Sequence, residues 1–132
     1  MFFLEIDASS QTLRWVRAGH EPAILFDPNT GKFEELSGKG MALGVVEDYR
    51  FQAYERHGWV PGSILIVGTD GIHESRNQED TMFGQARSRE IIRNHSAASA
   101  EAIQKAVIHA LQDFKGEISQ EDDVTLVVIK LL

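Results

Sequence analysis

Ser63-Ile64-Leu65-Ile66-Val67-Gly68-Thr69-Asp70-Gly71 frames the rest of the chain. Ile64 to Val67 is a short, continuous apolar run set between the Pro61-Gly62 turn and Gly68. A run this short, with no polar alternation, marks a strand covered on both faces. Val124-Thr125-Leu126-Val127-Val128-Ile129 repeats the pattern and predicts a second doubly buried strand. Both runs adjoin carboxylates. Thr69-Asp70-Gly71 follows the first directly, and Glu121-Asp122-Asp123 precedes the second. Pairing these strands as antiparallel neighbours brings Asp70 and Asp122 or Asp123 to one edge of a sheet. Carboxylates crowded there repel one another, and a divalent cation resolves the repulsion. Oxygen-only ligands select hard ions such as Mg²⁺ or Mn²⁺ over zinc. Taken singly, Thr-Asp-Gly also reads as a turn and Glu-Asp-Asp as a solvated acidic loop. Their joint placement beside the two buried strands sets the binding reading level with these two.

Upstream of this stretch the chain reads as strands. Residues 2–7 alternate loosely, and Ala8 to Gln11 turns the chain. Thr12 to Arg17 alternates with period two, Leu13, Trp15 and Arg17 facing one way. Ala23 to Phe26 is a short apolar strand, Asp27-Pro28-Asn29-Thr30-Gly31 a hairpin turn, and Lys32 to Leu36 the return strand. Residues 37–48 look irregular, and Gly38, Gly40, Ala42 and Gly44 would let the backbone approach a neighbour closely. Tyr49 to His57 alternates again. Downstream, Gly84 to Asn94 predicts a helix. A second helix is capped by Ser99, carries Ile103, Val107, Ala110, Leu111 and Phe114 at helical spacing, and ends at Gly116. Strands, then helices, then a strand predict an α+β fold with helices on one face of an antiparallel sheet.

The chain has 132 residues, enough for one domain with a single core. Its net charge of −7 argues against a nucleic-acid backbone as partner, since that affinity comes from clustered Lys and Arg. With no cysteine, disulfides, zinc–thiolate sites and cysteine nucleophiles are excluded, which suits a reducing, cytoplasmic setting. No apolar run reaches the roughly 20 residues of a transmembrane helix. Residues 1–7 resemble no signal peptide and read as a strand already under way at Met1.

Six segments occur in the order seen in SpoIIE-type phosphatases, bacterial relatives of the 2C-type protein phosphatases. They are Ala18-Gly19-His20-Glu21-Pro22, Gly40-Met41-Ala42-Leu43-Gly44, Pro61-Gly62, Leu65 to Arg76, Phe83-Gly84 and Asp122 to Val127. The resemblance covers essentially the whole chain. It implies two antiparallel sheets packed as a β-sandwich flanked by helices, two Mn²⁺ or Mg²⁺ ions, and hydrolysis of phosphoserine or phosphothreonine in a protein by a two-metal mechanism. It assigns metal binding to Asp70 and Asp122. Asp123 stands where the family has Asp or Asn, as a metal ligand or a residue just behind one, and Gly71 gives room for close packing. His20 lies in a matched motif and reads as a structural loop histidine. His57, His73, His95 and His109 show no metal-ligand spacing.

The family also carries an upstream Gly-Asp segment whose Asp bridges the two metals, and nothing in residues 1–20 matches it. Residues 1–132 are therefore expected to be a partial phosphatase domain lacking its N-terminal metal-binding segment. The expected function is phosphatase output on a phosphorylated regulatory protein, in this family often an antagonist of an anti-sigma factor. Alone, the chain is expected to bind divalent ions weakly and to hydrolyse phosphoesters poorly. A catalytically incomplete protein-interaction module is the alternative, and an unrelated α+β domain with acidic turns is the third. Uncovered strand edges would favour self-association, as a dimer or by strand exchange.

Overall fold

A computed structural model of the chain describes residues 1–119 and 123–132. The element order is β1 (Phe2–Asp7), β2 (Thr12–Arg17), β3 (Ala23–Asp27), β4 (Lys32–Leu36), β5 (Ala53–His57), β6 (Ser63–Gly68), α1 (Gly71–Glu74), α2 (Gly84–Asn94), α3 (Ala100–Lys115) and β7 (Leu126–Leu131). All pairings are antiparallel. One sheet has the order β1-β2-β5, the other β4-β3-β6-β7.

The strand period of two sorts side chains into two cores. Leu25 and Leu65 meet Leu13 and Trp15 of the facing sheet, with Leu36, Trp59 and Leu131 completing the filling between the sheets. Phe26, Ile64, Ile66 and Leu126 point the other way, against Ile72, Phe83, Ile92, Ile103, Val107 and Leu111 of the helical layer. The result is three layers, sheet on sheet on helices. β6 lies in the middle layer, which explains its unbroken apolar run.

Three local rules set the helices and turns. Ser99 caps α3, its Oγ accepting from the Ala102 N–H at 3.2 Å. Gly116, at φ +61°, ends that helix. Gly40 lies where a Cβ would stand 1.6 Å from the Arg17 carbonyl oxygen, so the chain after β4 can lie against the end of β2 only with glycine there. Gly38 is pressed likewise on the Tyr54 ring, whereas Gly44 has open space and a φ of +80° instead.

Three elements differ from expectation. The alternating residues 49–57 form a strand only over Ala53–His57, since Tyr49 and Phe51 pack edge to face on each other outside the sheet. The last strand runs Leu126–Leu131, two residues later than the apolar run, because Val124 and Thr125 belong to a connection tied to Thr69. It is also an edge strand, and Val127 is 45% exposed, so it is not covered on both faces. The single turn α1 is too short to show a period.

Candidate functional site

The site follows from the pairing of β6 with β7. Gly68 pairs with Leu126, so the end of β6 lies beside the start of β7. Thr69 then fastens the two chains. Its N–H donates to the Thr125 carbonyl at 3.1 Å, its hydroxyl donates to the Asp123 carbonyl at 3.1 Å, and that hydroxyl accepts from the Thr125 N–H at 3.0 Å. Gly68 allows this approach: a Cβ there would meet Ile72 Cδ1 at 3.1 Å and the Thr125 carbonyl oxygen at 3.5 Å.

Asp70 is exposed at the end of β6, and its carbonyl accepts from the Glu74 N–H at 2.9 Å as α1 begins. Gly71 is buried as the first residue of α1. Asp123 is exposed, its backbone held by Thr69. Asp122, with Glu121, lies outside the described residues. The fold therefore brings Asp70 and Asp123 to one rim of the four-stranded sheet. Among the described residues, no three His, Asp or Glu side chains are grouped to hold a metal ion. The donors the rim offers are carboxylate and carbonyl oxygens, a set that fits a hard divalent cation. The sequence reading missed Thr69 as a positioning residue. Its partners lie 54 and 56 residues away, so no local pattern reveals them.

Other residues of the quoted segments gather behind this rim. Glu21, Pro22, Gly68, Ile72 and His73 line one cavity of about 70 Å³ between the helices and the sheet, with Arg89 and Ser88 of α2. Burial holds the His73 imidazole below its ordinary pKa; Glu21, Asp70 and Glu74 pull it back up, and Arg89 pushes it further down. Its Nδ1 lies 3.4 Å from the Ser88 hydroxyl. His20 contacts the Glu21 carbonyl at 2.8 Å through Nδ1, and its own carbonyl accepts from Arg17, as a structural loop residue does. Gly19, at φ +66°, packs on Ala42, so the segments around residues 19 and 42 support each other.

Two antiparallel sheets with this helical layer define the fold of the PP2C-type phosphatase domains. The SiaA-PP2C domain of Pseudomonas aeruginosa superposes with a TM-score of 0.82 at 22% identity, over 98% of this chain and 50% of that one. The phosphatase domain of SpoIIE from Bacillus subtilis, presoaked with Mn, gives a TM-score of 0.73 at 14% identity, over 99% and 56%. The family model described as Stage II sporulation protein E (SpoIIE) matches residues 1–132, and the chain belongs to that family. It is 27% identical over 133 residues to a protein named phosphoserine phosphatase RsbU, from Bacillus subtilis strain 168. It is 29% identical over 129 residues to Protein IcfG of Synechocystis sp. PCC 6803. The chain spans 38% of the length of the first and 20% of the second.

Proposed function

We propose that this chain is part of a divalent-metal-dependent phosphatase that hydrolyses phosphoserine or phosphothreonine esters on a regulatory protein, such as an antagonist of an anti-sigma factor. The observation that carries the reading is the Thr69 fastening, which ties the residue before Asp70 to the backbone at Asp123 and Thr125. Family membership and the name of the relative RsbU support the same chemistry. Asp70 and Asp122 would hold Mn²⁺ or Mg²⁺, with Asp123 beside them. A bound cation would supply Lewis-acid polarisation of a phosphoryl oxygen. The chain's own residues prepare the place for it. Thr69 fixes the spacing of the two segments, and Gly71 presents no side chain to an approaching ester.

The test is Mn²⁺-dependent hydrolysis of a phosphoserine peptide, together with Mn²⁺ broadening of backbone amide signals. Slow, Mn²⁺-dependent turnover abolished by Asp70→Ala, with broadening at residues 68–72 and 123–126, is expected. Turnover that survives Asp70→Ala, or broadening centred elsewhere, would overturn the reading.

A further inference from the structure

We infer that Lys115 and Arg76 form the receptor for the substrate's phosphoryl anion, in a cavity lined by Gly71, the residue after Asp70; the inference rests on the phosphatase reading above. The cavity holds about 250 Å³ and is lined by Gly71, Glu74, Ser75, Arg76, Lys115 and Ser119, among others. A water's share of liquid volume is about 30 Å³, so a tetrahedral oxyanion fits with water to spare.

In the metal-free chain, the electrostatics call for side-chain cations at this rim. The chain carries a net charge of −7, and Asp70, Glu74 and Asp123 add local negative charge at this rim. A phosphate monoester, largely dianionic at neutral pH, is repelled there unless cations stand close by. Lys115 is only 8% exposed, at the last turn of α3, so its charge acts through poorly screened surroundings. Lys115 lines this cavity together with Gly71. Arg76 joins it from the connection between α1 and α2. Its guanidinium bonds the Asp80 carbonyl at 2.6 Å and the Asp80 carboxylate at 3.2 Å. That ion pair is exposed on both sides and therefore weak, so an arriving phosphoryl group can exchange for the Asp80 carboxylate. The planar fork of arginine suits two phosphate oxygens at once.

Backbone amide shifts on titrating inorganic phosphate into the metal-free 132-residue chain test this without turnover. Saturable shifts at Gly71, Ser75, Arg76 and Ile118 are expected. Arg76→Gln and Lys115→Met should each weaken binding about tenfold, as loss of one charge-assisted contact does. Lys115→Met keeps the buried stem, and circular dichroism verifies its fold; Arg76→Gln lies in an exposed connection and serves if the first variant is unstable. Absent shifts, or shifts unchanged in Arg76→Gln, overturn the receptor. So does binding of an unphosphorylated Glu-rich peptide in preference to phosphate. Intact phosphate binding without Mn²⁺-dependent hydrolysis overturns the catalytic reading alone. Hydrolysis with an unchanged KM in both variants overturns the receptor alone.

Discussion

Thr69 shows how much of the candidate site depends on one hydroxyl. It is half-buried, and it satisfies an acceptor at Asp123 and a donor at Thr125 at once. Thr69→Val keeps the shape and removes both side-chain bonds, while the backbone bond to Thr125 stays. At about 0.5–1.5 kcal/mol net for each bond, a loss of about 1–3 kcal/mol is expected by urea denaturation. Thr69→Ser should restore most of it. Phosphatase activity should fall further than stability, since the variant frees the segment that carries Asp123. Equal stability in the wild type and Thr69→Val would remove Thr69 from its positioning role. His73 gives a pH signature at the same scale. Its folded pKa is held below the ordinary 6.5 chiefly by burial. In the window from 6.5 down to the folded value, the unfolded chain binds more protons, so stability falls as pH drops; above 6.5 the group contributes nothing. In metal-free buffer, urea midpoints should therefore decline below about pH 6.5, and His73→Gln should flatten that decline.

At the scale of elements, β6 and β7 look alike as sequence and differ in the structure. Leu65 is fully buried between the sheets, whereas Val127 is 45% exposed on an edge strand. Leu65→Ala is expected to cost about 2–5 kcal/mol. Val127→Ala should cost less than about 1 kcal/mol, and comparing denaturation midpoints decides it. A large loss at Val127 would mean that this edge of the sheet is covered. The contrast also marks what the sequence could say. β6, α2 and α3 were legible because burial on both faces, or a period of 3.6, writes itself into consecutive residues. Ser99 and Gly116 were legible because caps are local chemistry. The start of β7 was not, because whether Val124 and Thr125 join the sheet depends on the Thr69 side chain far upstream. α1 was not, because four residues carry no period. Of the site, Asp70 stood out through its place after a buried strand, and the pairing of β6 with β7 followed from two apolar runs. The fastening of the rim required two segments to meet in space. Asp122, a ligand the resemblance implies, lies outside the described residues.

For the whole molecule, the layered arrangement leaves the two sheets unequally protected. The four-stranded sheet is covered by the facing sheet on one side and by α1, α2 and α3 on the other. The three-stranded sheet buries Leu13 and Trp15 inward, and no helix of the described residues packs on its outer face. β1 forms one edge of that sheet, with Phe3 54% exposed on its outward side. Edge strands offer unpaired N–H and C=O groups, and natural chains guard them with charge. Glu5 is the guard here, and it is drawn inward along the sheet by Arg14, which also pairs with Glu55 of β5. The exposed Phe3 beside a compensated charge makes β1 the expected site of strand pairing between copies. Sedimentation of the 132-residue chain should show a concentration-dependent dimer. Phe3→Lys places an uncompensated cation on the outer face of β1 without touching either core, so it should shift the equilibrium toward monomer while the melting profile of the monomer stays unchanged. A dimer that persists in Phe3→Lys would move the interface to the opposite edge of the same sheet, β5, or to the Val127 side of β7. A wild-type chain that remains monomeric at high concentration would mean that the Arg14 network protects the edge by itself.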